Sequence, residues 1–255
     1  MAIAAVRVQF PPRVPKTPCN NHVARGFVLF NLFKFTWLIL IIMDHDIAAI
    51  RKDYSMKVLT RDSVDENPLA QFRKWLNEAI TSKVNEPTAM TLATAGSDGI
   101  PSARIVLLKD ADGTGLSFFT NYESKKGRQL QNNSSAALVF FWPELERQVR
   151  FEGNVKKLSG KESDSYFISR PTGSKLGAWA SRQSNTITSR LFLENEVQKY
   201  SNRFKGQSIP RPSFWGGYLL TPNLAEFWQG RPDRLHDRIH YKRIYNKWDI
   251  SRLSP

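Results

Sequence analysis

The stretch from residue 89 to 121, AMTLATAGSDGIPSARIVLLKDADGTGLSFFTN, decides the fold. Ala89–Ala95, Ala103–Lys109 and Leu116–Asn121 each read as a strand, short, apolar and rich in β-branched or aromatic residues. Gly96-Ser97-Asp98-Gly99 and the Asp110–Gly115 loop separate them. Connections this short join antiparallel neighbours, because a parallel pair needs a crossover of a dozen or more residues.

Working outward, the same grammar continues. Upstream, Asn67-Pro68 supplies a cap followed by proline at the first helical position. Leu69, Phe72, Leu76, Ala79 and Ile80 then make an apolar stripe on a helix ending near Ser82. Downstream, Ser124–Asn132 reads as a short basic helix capped by Ser124, and Ala136–Phe141 and Gln148–Lys157 as two more strands. Helical segments follow at 160–170 and 188–204, joined by a polar stretch containing Gln183-Ser184. Strands return at 215–221, 224–229, 238–245 and 247–252. The sum is a β-rich α+β chain, an antiparallel barrel with helices packed around it, without internal repeats.

Composition narrows the function. A single cysteine, Cys19, excludes a disulfide framework and a cysteine metal cluster, and favours a reducing, cytoplasmic setting. Four histidines without an H-E-x-x-H pattern argue against zinc, so no metal is expected. The net charge of +14 raises nucleic acid as a partner. The basic residues are spread among acids, however, and not gathered into one block, which favours small anionic ligands over a polynucleotide.

Residues 1–43 differ from the rest. They carry Arg7, Arg13, Lys16, Arg25 and Lys34, no acid, and an apolar run from Phe27 to Met43 interrupted by Asn31, Lys34 and Thr36. The run is at the short limit for a membrane span, and its lysine weakens that reading. A leader to an organelle, a retained anchor, and an extension absent from the working protein, which could begin at Met43, stand as alternatives. Residues 1–43 are taken as outside the fold.

Three clusters ask for anions. Trp228-Gln229-Gly230-Arg231-Pro232-Asp233-Arg234-Leu235-His236-Asp237-Arg238 packs an indole, an imidazole and three guanidiniums together, and guanidiniums are not buried together without anions. A solvated basic turn is the plainer alternative. Arg104 and Lys109 stand at either end of one strand and face opposite sides. Phe119-Thr120-Asn121 leads into Ser124-Lys125-Lys126 at a helix N-terminus, a ready phosphate site, or a pair of merely exposed lysines. Tyr166, Arg170 and Ser174 recur at spacings of four, as a phosphate clamp or a simple helix end. The G-x-G-x-x-G, G-x-x-x-x-G-K-[ST] and G-x-S-x-G signatures are missing, so dinucleotide, nucleoside-triphosphate and serine-hydrolase readings have no support. Two phosphate sites beside a planar aromatic site point to a flavin or pyridoxal-type ligand.

Taken in order, RIVLLK (104–109), FFTNYESKKG (118–127), ERQVRFEG (146–153), YFISRP (166–171), GAWASRQS (177–184), SFWGGY (213–218), EFWQG (226–230) and RLHDR (234–238) resemble the pyridoxine (pyridoxamine) 5′-phosphate oxidase family. The resemblance runs from about Ile47 to Pro255. It implies a split β-barrel homodimer with FMN bound between subunits, and a division into extension (1–43), mobile lid (44–66) and oxidase domain (67–255). FMN contacts are implied at Arg104, Lys109, Phe119, Thr120, Lys125, Lys126 and Gln148, and across the interface at Gln183, Ser184, Trp228 and Arg238. The substrate phosphate would meet Lys109, Tyr166, Arg170 and Ser174. Arg234, Leu235 and His236 would face the pyridine ring, with Arg234 and His236 as the catalytic pair. Arg51, Lys52, Asp53 and Tyr54 match the segment that closes over substrate.

The chain departs from the family pattern in three places. Lys125 stands where arginine is usual, which keeps charge and loses the forked donor. Ile168 replaces a polar residue, and Ser55-Met56-Lys57 lacks glycines often found there. The implied activity is oxidation of pyridoxamine and pyridoxine 5′-phosphates by O2, yielding hydrogen peroxide. A split-barrel flavoprotein of other specificity, such as a flavin reductase, and a non-enzymatic pyridoxal phosphate-binding protein are the rivals.

Overall fold

A computed structural model describes residues 47–255. The extension 1–43, its apolar run and Asp44-His45-Asp46 lie outside the described residues. The chain divides into two units, Met1–Lys52 and Asp53–Pro255. Of the first, the described part is a short 3-10 turn, Ile47–Ala49, followed by the exposed Arg51 and Lys52.

The second unit is one antiparallel sheet of nine strands with five helices. Its strands are β1 (Ala89–Ala95), β2 (Pro101–Leu107), β3 (Asp110–Ala111), β4 (Leu116–Asn121), β5 (Ser135–Trp142), β6 (Arg147–Lys157), β7 (Trp215–Gln229), β8 (Asp237–Ile244) and β9 (Lys247–Arg252). The helices are α1 (Pro68–Thr81), α2 (Lys125–Asn132), α3 (Gly160–Ser169), α4 (Thr172–Ala180) and α5 (Arg190–Arg203). Strand order is β2-β1-β5-β6-β7-β4-β3, with β8 and β9 continuing from β7.

The split of the sheet is written into β7. One edge pairs with β6 over nearly its whole length. The other edge pairs with β4 through Trp215–Leu220 and with β8 through Leu224–Gln229. One strand therefore belongs to two sheet branches. Between them Gly153 faces Pro222 and Glu152 faces Leu224, leaving Asn223 as an extra, bulged residue. Leu220 and Tyr218 face the core before the bulge, Ala225 and Phe227 after it, so the alternation changes phase there. A Cβ at position 153 would collide with the Thr221 carbonyl oxygen and crowd Pro222, so the close approach requires glycine.

Helix α1 covers the barrel. Asn67 Oδ1 accepts from Leu69 N at 2.9 Å, and Pro68 sits at the first helical position. Phe72, fully buried, lies 4.7 Å from Phe140 and 5.2 Å from Phe151, ring centre to ring centre. Trp75 packs edge-on against Phe227 at 5.2 Å and replaces Ile80 in the expected stripe, because Ile80 stays 52% exposed.

The strand expected at Ala103–Lys109 ends at Leu107, so Lys109 lies past it, and the expected 110–115 loop opens with the two-residue β3. Two elements differ more. The strands expected at 215–221 and 224–229 are one bulged strand, because Pro222 sits at the bulge, where its missing N–H costs no ladder bond. The segment after Arg170, read as a polar link, contains α4, whose Trp179 packs against Tyr200 and Phe204 at 5.6 and 5.4 Å.

Candidate active site

The first half of the site lies where β2, β4 and α2 meet. Arg104 pairs in register with Leu92 and shares its face, while its neighbour Ile105 points outward and is 65% exposed. The Arg104 guanidinium donates to Leu92 O (3.2 Å), Thr94 Oγ1 (2.5 Å) and Ser102 Oγ (2.7 Å), all neutral acceptors. Lys126, in the first turn of α2, is buried, and its Nζ donates to Thr120 Oγ1 at 3.3 Å and Gln183 Oε1 at 3.5 Å. Lys125 beside it is exposed, so the two lysines take different roles. Ser124 caps the helix, its Oγ accepting from Gly127 N.

Burial holds the Lys126 ammonium below the ordinary lysine range, and the Arg104 charge adds to that. Burial lowers Arg104 as well. Gln183 belongs to this group, because Thr120 donates to its Oε1 at 3.1 Å within one chain. The loop after α4 thus returns beside β4. Ser184 follows in a left-handed turn (φ 72°), exposed.

Beside this group stands an aromatic stack. Phe119 lies 3.9 Å from Tyr166 at 21°, and Tyr166 lies 6.2 Å from Trp215 at 6°. Arg170 caps α3, and the following Pro171 forces it into extended backbone (φ −72°, ψ 148°). Its guanidinium sits 4.4 Å over Trp215, with Nη1 buried and lacking any acceptor. Burial lowers its pKa too. Arg170 and Ser174 line a cavity of about 360 Å³ with Phe119, Thr120 and Gln183. Ser174 lies in the first turn of α4, whose first N–H groups point out of the helix end. Lys109 and Tyr166 line a neighbouring groove of about 1010 Å³, with Phe119 shared between the two. The expected four-residue clamp is thus spread over two adjoining hollows. Trp215, which supports the whole stack, was not singled out from the sequence; only its place in SFWGGY marked it.

The second half lies on the outward face of the sheet. Gln148 pairs with Trp228, and Trp228 with Arg238, so register alone aligns the three in a row across β6, β7 and β8. Their neighbours Val149, Phe227 and Ile239 are fully buried, which fixes the row as outward. Glu226 holds Arg238 through both carboxylate oxygens, at 2.8 and 3.1 Å. Arg238 also donates to Ser254 O at 2.8 Å.

A turn carries the remaining residues. Asp233 and Arg234 both adopt left-handed backbone (φ 55° and 61°), which is costly outside glycine and is found where a site holds strain. Arg234 and Leu235 are exposed. His236 Nδ1 accepts from Arg231 N at 3.1 Å, so the neutral ring carries its proton on Nε2. Burial, then the Arg234 charge, lowers the His236 pKa and keeps it neutral at physiological pH. Its ring lies 4.6 Å from Trp228 and 6.1 Å from Tyr54. Asp53 precedes Tyr54 and is exposed.

Among the described residues, no carboxylate comes within ion-pair distance of Arg104, Lys109, Lys125, Lys126, Arg170 or Arg234. Nor is there a cluster of His, Cys, Asp and Glu that could hold a metal, or a helix long and apolar enough to cross a membrane. The site is cationic and demands anions.

Known proteins carry the same pattern. Residues 76–204 match the family model described as pyridoxamine 5′-phosphate oxidase. Residues 215–255 match that of the pyridoxine 5′-phosphate oxidase C-terminal dimerisation region. The chain is 53% identical over 214 residues to the pyridoxine/pyridoxamine 5′-phosphate oxidase of Trichormus variabilis, covering 84% of this chain and 100% of that one. It is 53% identical over 210 residues to the enzyme of the same name from Cupriavidus taiwanensis, covering 82% and 99%. In three dimensions it is similar to PhzG from Burkholderia lata, solved in complex with tetrahydrophenazine-1-carboxylic acid. There the TM-score is 0.74 at 33% identity, over 79% of this chain and 100% of that one. An FMN binding protein from Nostoc punctiforme shares the fold at TM-score 0.60 and 18% identity, over 78% and 100%.

Proposed function

Because this chain belongs to the pyridoxamine 5′-phosphate oxidase family, we propose that it is an FMN-dependent oxidase making pyridoxal 5′-phosphate from pyridoxamine and pyridoxine 5′-phosphates. The observation that carries this reading is the set of cations without carboxylates, Lys126 buried and Arg104 and Arg170 half-buried, above all Arg170, whose Nη1 is sealed from solvent without an acceptor. A buried guanidinium is stable when an anion completes it, and a substrate phosphate in the cavity with Ser174 would do so. The first N–H groups of α4 would add donors.

The residues suit FMN in the same way. Arg104 and Lys126, with Thr120 and Gln183, offer charge and donors to a second phosphate, next to the α2 N-terminus. Lys109 and the exposed Lys125 border the same region. When bound, FMN supplies the hydride acceptor, and O2 takes the electrons on as hydrogen peroxide. The chain's part is alignment. Arg170 and Ser174 hold the remote phosphate, and Arg234 and the neutral His236 orient the substituent being oxidised.

Gln148, Trp228 and Arg238 face outward in register with Phe141, 52% exposed, and β2 adds Ile105 and Leu107, 65 and 40% exposed, farther along the sheet. Such a surface calls for a partner, and a second copy would cover it while bringing the outward row to the other chain's cationic pocket. Dilution to monomers should then release FMN. Monomers that keep it fully bound would refute the shared site.

The direct test is peroxide production from each phosphorylated vitamer, with and without added FMN. Flavin bands without peroxide from any vitamer would favour a split-barrel flavoprotein of other specificity. A pyridoxal band without flavin would favour a binding protein.

A further inference from the structure

Glu146 has no place in the chemistry above, yet it is one of the buried acids beside the site. It closes the turn between β5 and β6 in left-handed backbone (φ 54°, ψ 41°) and is 4% exposed. Its carbonyl oxygen accepts from Gly230 N at 2.8 Å and from Gln229 Nε2 at 3.2 Å, which ties the turn to the end of β7. Its side chain meets no cation among the described residues. One oxygen, Oε2, instead accepts from two consecutive backbone groups, Ser55 N at 2.9 Å and Met56 N at 3.0 Å. A buried carboxylate held by backbone N–H groups makes strong, directional bonds.

Those two N–H groups follow Tyr54. The Tyr54 ring stands edge-on to Trp228 at 5.7 Å and to His236 at 6.1 Å. Its seat exists because residue 230 is glycine, where a Cβ would come within 2.6 Å of Tyr54 Cβ and Cγ. A cleared seat holds Tyr54 itself, and a two-pronged anchor holds the two residues that follow it.

We infer that Glu146 is a positioning residue, whose carboxylate latches the 54–56 backbone so that Tyr54 braces Trp228 and His236. The inference rests on the proposed function for its kinetic consequence, but not for the latch itself. Glu146 touches neither substrate nor cofactor and acts through Tyr54. Because one oxygen takes both bonds, an amide oxygen at the same position can replace it.

The experiment compares Glu146→Ala, Glu146→Gln and Tyr54→Ala in the full chain. Glu146→Ala should raise KM for pyridoxamine 5′-phosphate roughly tenfold, the scale of two lost hydrogen bonds, with kcat changed less. Glu146→Gln should restore KM to within about twofold. In a Tyr54→Ala background, Glu146→Ala should add little, since the latch then has nothing to hold. Without substrate, trypsin should cut after Lys52 and Lys57 faster in Glu146→Ala than in wild type or Glu146→Gln. Additive effects of the two alanines, or Glu146→Gln behaving like Glu146→Ala, would overturn the inference. Should Glu146→Ala not fold, Gly230→Ala crowds Tyr54 at 2.6 Å, and Glu146 Cβ less tightly at 3.1 Å, while keeping the carboxylate itself, and must raise KM likewise; an unchanged KM refutes the seat. If wild type oxidises no vitamer, the trypsin comparison still decides the latch while the proposed function falls.

Discussion

Two basic regions of this chain look alike in sequence and differ in their counter-charges. Around β8, four arginines have an acid, while Arg234 and Arg243 have none among the described residues. Arg238 and Arg150 share Glu226, and Arg252 and Arg231 share Asp237. Around the α2 N-terminus and the end of α3, Arg104, Lys126 and Arg170 have neutral or aromatic neighbours and lie low in pKa from burial. The first region is largely neutralised from within, a structural network with Arg234 and the strand-end Arg243 left over. The second is built to be completed by something that the chain does not contain. Uncompensated charge, more than charge density, is what distinguishes the proposed phosphate sites.

The largest test of that contrast is Arg170→Ala. Deleting a charge-assisted phosphate contact costs about 1.5–3 kcal/mol, or roughly ten- to hundredfold in KM for phosphorylated substrate. Unphosphorylated pyridoxine should already be a poor substrate of the wild type. Equal activity on both forms would erase the distinction between the regions. Next comes Arg234→Ala, which should keep its flavin and dimeric state while anaerobic reduction by substrate slows by about tenfold. His236→Ala should slow it less, as a neutral ring orients without adding charge. Loss of flavin with normal reduction in the loaded fraction would assign both residues to bracing the turn.

On the neutralised side, Asp237 sharpens the comparison through pH. Burial would raise its carboxyl, but the Leu59 N–H and Arg252 outweigh burial and hold it below the ordinary range. Its contribution is therefore complete above about pH 4 and fades as pH falls through the lower folded value. Asp237→Asn should cost about 1–3 kcal/mol at neutral pH and progressively less toward pH about 2, read from Tm against pH. A pH-independent deficit would mean that charge is not what Asp237 supplies. The smallest effect is on His236. Its titration midpoint, followed by NMR, should rise in Arg234→Ala, because one of the two causes of its depression is gone.

Much of the fold was legible, because alternation and turn residues are local signals. Ala89–Ala95 and Leu116–Asn121 were read to the residue, and Asn67 and Ser124 cap the helices as expected. Helix α4 was not legible. It follows Pro171 and holds Gly173 and Gly177, poor helix formers, and tertiary packing of Trp179 secures it. The site was legible in residue types and less so in grouping. Nothing in the sequence tells that Glu226 claims Arg238, that Lys126 turns in while Lys125 turns out, or that Gln183 returns to its own chain's Thr120. Those pairings are set by strand register and loop paths, which are non-local.

The bulge in β7 places an unusual demand on descent. Trp215 stacks with Tyr166 and Trp228 packs against His236, and both ride on one strand whose inside and outside trade places at Asn223. Side chains there can drift, but the residue count between the two tryptophans and the bulge are tied to each other. Straightening the strand with all its residues kept would turn Trp228 into the barrel and Phe227 out of it. Across relatives, an interval of this length should keep the bulge and one shorter by a single residue should lose it, a constraint on length that no single position carries.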